Sequence, residues 1–327
     1  MSEVSNEQPL PLPLPWQESM LRHLMGQYRQ GRLHHAWLLH GPEGIGKLDF
    51  AMALAAARLC RNASDTGAAC GECKACRLMR AGSHPDLLQV VPEENRSALK
   101  IDRIRQVGEF VSQTATYSGS ARVVVLAPAE ALGQGAANAL LKNLEEPPGD
   151  SLFLLISHVP GAVLPTIRSR CQPLSLPEPD ADTTLRWLHA RGGDPADAGM
   201  AARLAPSQPL KALRLMEENV PALFVFLERG SGEFLTGTAS LAELVRGCHD
   251  SDARQVVAWL LSDLHRRTVN AASAGAVPGG QRTAPLFPAY RDLLTFDRQL
   301  AGSANPNRQL TLESAFLRWK QGVSQCR

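Results

Sequence analysis

Hydrophobic and polar positions follow two different patterns along the chain. In the first half, short continuous apolar runs lie at 36–40, 87–91, 123–126 and 152–156. A run of this length bounded by Gly, Pro or polar turns reads as a strand buried on both faces. Between the runs, apolar residues recur at helical spacing over 16–29, 47–61, 101–116 and 136–145, as with Trp16, Met20, Leu24 and Tyr28. Strands alternating with helices predict an α/β domain built on a parallel sheet with helices on both faces.

The pattern changes after Cys171. Residues 176–182, Leu-Pro-Glu-Pro-Asp-Ala-Asp, form a turn-rich hinge, and no later segment reads as a strand. Helical patterns at 183–190, 198–204 and 209–219 make a small unit. From about residue 220 there are four or five longer helical segments, including 253–271, 288–300 and 309–321. The Gly-, Ala- and Pro-rich stretch 272–285 predicts a surface loop. The expected organisation is an α/β domain over 1–178, a small helical domain over 179–219 and an all-α domain over 220–327.

Composition narrows the function. A chain of 327 residues has room for two domains or three small ones. Lys and Arg number 34 against 32 Asp and Glu, a net charge of +2, which excludes a disordered polyelectrolyte and a strongly basic coat for nucleic acid. No apolar run approaches the roughly 20 residues of a bilayer span. The longest candidate, 152–165, is interrupted by Ser157, His158, Pro160 and Gly161. Residues 1–17 lack the cationic start and apolar core of a signal peptide, so a soluble, cytoplasmic chain with no membrane partner is expected.

Four of the seven cysteines, Cys60, Cys70, Cys73 and Cys76, are spaced C-x9-C-x2-C-x2-C. Tandem C-x2-C lets one turn supply three thiolates, and Cys60, at the end of the preceding helix, supplies a fourth, as a closed tetrahedral zinc site requires. The surrounding residues 67–74 are too polar for a nest of buried free thiols. A redox pair needs only two of the four, and an iron–sulfur cluster would call for electron-transfer chemistry that no other feature supports. Structural zinc is the expectation.

The string Gly41-Pro-Glu-Gly-Ile-Gly-Lys47 follows a strand and opens a helix, the setting of a phosphate-binding loop. Gly41, Gly44, Gly46 and Lys47 are therefore candidate nucleotide-binding residues. The next position needs a Ser or Thr hydroxyl for magnesium and holds Leu48. The second apolar strand, which should end in magnesium-binding and water-polarising acids, ends in Ala127-Pro128, and Glu130 lies too far on to replace them. Two readings fit: a pocket that binds nucleotide without turning it over, or a glycine turn with no ligand. Hydrolysis is not expected from either. His34, His35, His40 and His84 read as packing or turn residues, Cys248 and Cys326 as isolated thiols, and the C-terminal arginines as solvated helix faces.

Two further strings are informative. Asn138-Ala-Leu-Leu-Lys-Asn-Leu-Glu-Glu-Pro-Pro148 is an amphipathic helix stopped by a double proline, and Thr166-Ile-Arg-Ser-Arg-Cys171 is a basic loop after a strand. Together with the glycine loop and the cysteine cluster, in this order, they resemble bacterial clamp-loader subunits of the AAA+ class over residues 16–179. The resemblance favours the branch without hydrolysis, since the ATPase siblings carry Thr or Ser at the Leu48 position and Asp-Glu at the Ala127-Pro128 position. Ser157 falls at the sensor threonine and Leu210 near the sensor arginine.

The resemblance implies an accessory subunit of the DNA polymerase III clamp loader, without catalysis of its own inside a DNA polymerase holoenzyme. It makes residues 179–219 a lid and 220–327 an oligomerisation collar. It implies as partners the gamma/tau ATPase subunits and the delta subunit, with the sliding clamp and primer-template DNA reached through the complex. It also makes Arg170 an arginine finger acting in trans on a neighbour's ATP, with Arg168 as the stand-in and a structural ion pair as the alternative. Two rival functions stay open at this point: an active ATPase subunit with an unusual magnesium site, and a zinc-dependent nucleic-acid-binding module.

Overall fold

The structure is a computed structural model that describes residues 9–64, 66–92, 99–116, 121–192, 194–249, 251–273, 286–301 and 307–324. The chain divides into two compact units, Met1–Gly192 with Ala202–Leu213, and Gly193–Ala201 with Arg214–Arg327.

The first unit carries a five-stranded parallel sheet of order β2-β3-β4-β1-β5, made of β1 (Ala36–His40), β2 (Leu87–Val90), β3 (Arg122–Leu126), β4 (Ser151–Ser157) and β5 (Gln172–Ser175). The helices running among these strands are α1 (Glu18–Arg29), α2 (Lys47–Leu59), α3 (Lys74–Arg80), α4 (Ile101–Ser112), α5 (Gln134–Glu145) and α6 (Pro165–Arg168). α7 (Ala181–His189) follows β5, and α8 (Pro195–Leu204) and α9 (Pro209–Glu217) straddle the division between the units.

The apolar runs of the three central strands split between two cores because successive side chains point to opposite faces. Trp37, Leu39, Val123, Val125, Leu152, Leu154 and Ile156 join Leu24 of α1 and Phe50 and Leu54 of α2. Ala36, Leu38, Val124, Leu126, Phe153 and Leu155 join Ile104 and Val107 of α4 and Leu140 and Leu144 of α5. The sheet is thus buried on both faces, which is what unbroken apolar runs require.

Four strands were legible as apolar runs; β5 was not. It is an edge strand beside β1, mostly exposed, and contains Pro173. An edge position tolerates the missing N–H of proline and removes the need for apolar residues on both faces.

Edge polar groups are held locally. Asp86, before β2, accepts from the backbone N–H and the hydroxyl of Thr116, both at 2.9 Å. Arg122, at the start of β3, donates to Thr114 O and Pro85 O and stacks over Phe110. At the far end of α2, Arg58 pairs with Asp150 and lies over Tyr28.

The second unit is helical among its described residues: α10 (Val220–Thr236), α11 (Leu241–Gly247), α12 (Ala253–Ser273), α13 (Leu286–Ala301) and α14 (Arg308–Ser324). Ser240 and Glu243 form a capping box that starts α11. The guanidinium of Arg308 takes the carbonyls of Cys248 and His249 just past the end of α11, and that of Ser251. The core includes Leu227, Val256, Leu260, Leu264, Leu293, Phe316 and Trp319. Buried Asp263 accepts from Arg266, Arg267 and the Trp319 indole N–H at 2.9 Å, and these charged and polar donors offset its desolvation. Residues 272–273 close α12; the rest of the expected 272–285 loop, and Cys326, lie outside the described residues. Among the described residues no helix is long and apolar enough to cross a membrane.

Phe153 is fully buried at the centre of β4 between strands paired on both sides. Phe153→Ala is expected to destabilise the first unit by about 3–5 kcal/mol, read as a drop in its denaturant midpoint. A shift below about 1 kcal/mol would mean that the core is not close-packed there.

Candidate functional site

β1 runs into the glycine loop and the loop runs into α2, so the sequence order becomes a strand–loop–helix turn at the C-terminal edge of the sheet. Gly41, Gly44 and Gly46 all have positive φ, and Gly46, at 84°, caps α2 in the left-handed region. A Cβ on Gly46 would lie 2.3 Å from Leu14 Cδ1, and one on Gly44 would lie 2.9 Å from Lys211 Cβ. Neither position accepts a side chain.

The loop's carbonyls are held by other segments of the first unit. Ile45 O accepts from Trp16 Nε1 and Gln17 Nε2, both at 3.0 Å, and Gly46 O accepts from Gln17 Nε2 at 2.7 Å. Gly44 O accepts from the N–H of Leu210 at 2.9 Å. Lys47 is only 3% exposed, and its Nζ donates to Gly41 O at 2.7 Å and Pro42 O at 2.6 Å. Its ammonium is therefore hydrogen-bonded to the loop it belongs to. The sequence pattern contained the loop; the pins at Trp16, Gln17 and Leu210 were not legible, because they come from segments remote in sequence.

The two positions at which the sequence pattern calls for magnesium ligands are apolar. Leu48 is 39% exposed and carries no ligand atom, and β3 passes directly into Ala127 and Pro128. Glu130 accepts from the backbone N–H of His158 at 2.9 Å. Burial raises the Glu130 carboxyl, but backbone N–H groups, the Ser157 hydroxyl and the His158 charge together hold it below its ordinary range. Ser157, at the end of β4, is fully buried, and its Oγ accepts from Val159 N–H at 3.2 Å. Burial and the nearby Lys47 charge both lower His158. Lys47 itself is lowered by burial from 10.5 to about 8, against the raising effect of Glu43 and Glu130. Glu130 thus acts on Lys47 through its charge, although sequence order had set it aside as a ligand.

The four cysteines come together as their spacing predicted. Cys60 follows the last residue of α2, Cys73 caps α3 and Cys76 lies inside α3. Their sulfurs all lie within 4.8 Å of one another, with separations of 3.5 Å for Cys73–Cys76, 3.7 Å for Cys60–Cys76 and 3.9 Å for Cys60–Cys73 and Cys70–Cys76. Four thiolates about 2.3 Å from a common centre sit about 3.8 Å apart in a tetrahedron. Backbone N–H groups of Asn62 and Cys70 donate to Cys60 Sγ at 3.4 and 3.3 Å. The group could hold a metal ion.

Arg170 lies just beyond α6. Ser169 Oγ donates to Thr166 O at 3.2 Å and Cys171 is buried in the core, so the residues on either side of Arg170 are fixed. Arg170 Nε donates to Glu145 Oε1 at 2.6 Å, closing an ion pair with the last residue of α5. The side chains are 33% and 48% exposed respectively. Arg168, the alternative, is exposed and reaches only Pro160 O at 3.5 Å. His34 and His35 stack on each other and bond backbone carbonyls, and buried His84 accepts the N–H of Asp86, all packing roles.

A parallel sheet with a glycine loop between β1 and α2 is the strand–loop–helix arrangement that phosphate-binding loops use, and neither Leu48 nor Ala127 beside it carries a side-chain oxygen. The sequence profile of the family described as DNA polymerase III, delta subunit, matches residues 16–180. The chain is 35% identical to DNA polymerase III subunit delta' of Yersinia pestis over 95% of this chain and 96% of that one. It is 46% identical to the Pseudomonas aeruginosa subunit delta' over 63% of this chain, and the match spans 62% of that relative's length. A solved Thermotoga maritima protein, DNA polymerase III, gamma subunit-related, aligns over 94% of this chain and 99% of that one at TM-score 0.48 and 17% identity. The chain belongs to the DNA polymerase III subunit delta' family.

A lysine whose pKa is lower in the folded than in the unfolded state disfavours folding while it is charged. Between about pH 8 and 10.5 the unfolded chain binds the extra proton, so the first unit should gain stability as pH rises through that window. Lys47→Met should remove this rise in denaturant titrations at stepped pH. An equal rise in the variant would place its origin at another group.

Proposed function

We propose that this chain is a non-hydrolysing accessory subunit of a DNA polymerase III clamp loader, helping ATP-driven loading of the sliding clamp on primed DNA. The observation that carries the reading is the pair of apolar residues, Leu48 and Ala127, at the magnesium positions of an otherwise well-formed P-loop. Phosphoryl transfer depends on metal ions that neutralise developing charge, and this chain offers no side-chain oxygen at either position. Gly41, Gly44, Gly46 and Lys47 keep the shape of a phosphate cradle, and a nucleotide held there is not turned over.

The subunit's contribution is then to a neighbour. Arg170 sits partly exposed on a corner fixed by Ser169 and Cys171, and it supplies positive charge in trans to ATP on an adjacent gamma/tau subunit. The delta subunit lies on the other side, with clamp and primer-template DNA engaged through the assembly. Residues 179–219 serve as the lid and 220–327 as the collar that holds the ring. The complex works in the cytoplasm.

The cysteine cluster holds structural zinc. Four thiolates leave no open coordination position, so the metal closes the 60–76 segment and activates no water.

A trans-acting arginine contributes about 10³ to 10⁵ in rate at its site. Arg170→Ala should therefore slow one site's share of DNA- and clamp-stimulated ATP turnover by at least about tenfold in the reconstituted loader. The exposed pair with Glu145 is worth about 0–1 kcal/mol, so the variant should still assemble. Unchanged turnover in an assembled variant would leave Arg170 a structural residue. ATP turnover by the purified chain alone would instead make it an ATPase.

For the metal, protein purified without chelator should carry about one zinc per chain. Cys73→Ser should lose most of it and lower the melting temperature of the first unit. A content well under one in the unmodified chain would remove the zinc assignment.

A further inference from the structure

We infer that Glu145 is the positioning residue that aims Arg170. The inference rests on the trans-acting reading of Arg170 and adds the device that orients it. The string that closes α5 and the one that follows α6 meet through this pair.

A guanidinium carries five N–H donors in a rigid planar fork. Arg170 directs its Nε–H to Glu145 Oε1 at 2.6 Å, and Nη2 reaches the same oxygen. Nη1 donates to Thr166 O at 3.0 Å and to Ser169 Oγ at 3.3 Å. The carboxylate therefore grips the side-on edge of the fork, and the loop grips one terminal nitrogen. A further N–H of Nη2 remains on the end-on edge, in a side chain that is one-third exposed. An anion arriving there meets a plane whose rotamer is already chosen.

Glu145 is itself well placed to act as a fixed support. It follows Leu144, which is buried at 1% exposure and whose carbonyl accepts from His35 Nε2 at 2.9 Å. α5 and α6 pack against each other, so the carboxylate and the arginine are carried by adjoining elements of one core. A long exposed arginine without such a support loses its rotamer freedom when the anion binds. Here that ordering has already been accomplished in the isolated subunit, which is the condition for a group that must act at one geometry. A carboxylate that merely competed with the anion would occupy the end-on edge, and Glu145 does not.

The test uses the reconstituted loader with wild type, Glu145→Gln, Arg170→Ala and the double variant, with the ring shown to assemble in each case. Glu145→Gln should slow the share of turnover lost in Arg170→Ala by about three- to tenfold, within the range of coupled neighbours. KM for ATP and the melting temperature should not change, and the substitution should cost nothing further in the Arg170→Ala background. Glu145→Asp, which keeps the charge on a shorter arm, should fall between wild type and the Gln variant, and it serves if the Gln variant fails to assemble.

A slow Arg170→Ala beside a Glu145→Gln at wild-type rate would overturn the positioning role and leave the finger standing. A faster Glu145→Gln would make the carboxylate a restraint and overturn it as well. So would a loss that adds in full to that of Arg170→Ala, which would mean that Glu145 acts through another group. Arg170→Ala at wild-type rate would remove the finger itself, and the positioning role with it.

Discussion

A parallel strand buried on both faces must find hydrogen-bond partners along both edges, and β1 finds them in β4 and β5. Its register sets His40 beside Ser157 on one side and Ser175 on the other. Because neighbouring strands run the same way, the chain leaves β1, β3 and β4 at one edge of the sheet, where ligands bind in open α/β folds. The glycine loop, Ala127-Pro128 and His158 are brought together by that single constraint. The mutual electrostatic effects among Lys47, Glu130 and His158 follow from it. The place of His158 beside Lys47 was not legible in their separation along the chain.

The packing around the loop also accounts for its glycines. Gly46 has no room for a Cβ because Leu14 and Gln17 press on it, and Gly44 because Lys211 and Gln208 do. Trp16, Gln17 and Leu210 hold its carbonyls. Packing and backbone conformation alone therefore require glycine at these positions, with or without a phosphate. A glycine pattern reports the shape of a turn; metal-dependent chemistry is reported by the oxygen ligands around it, and Leu48 and Ala127 supply none from their side chains.

Asp263 and Arg170 differ in what secures them. Asp263 in the helical unit is a buried carboxylate satisfied by two arginines and an indole, and it stabilises a core. Arg170 is paired with a single carboxylate at the surface, donates to Thr166 O and Ser169 Oγ, and retains one donor. A fully satisfied buried group rigidifies its surroundings, whereas a partly satisfied exposed one keeps a donor for a ligand.

Sequence alone determined the features that depend on local pattern. Apolar runs marked four of the five strands, and the C-x2-C-x2-C spacing marked the cysteine cluster. β5 escaped because its four residues are mostly exposed and polar and include Pro173, whereas β2 at the opposite edge keeps an apolar run. Tertiary structure alone decided what touches what: Gln17 on the glycine loop, Glu130 within the field of Lys47, and Glu145 on Arg170, 25 residues away in the chain. The physical reason is range. Strand burial and thiolate spacing are written in neighbouring residues, whereas an ion pair between two helix ends exists only once a shared core has brought those ends together.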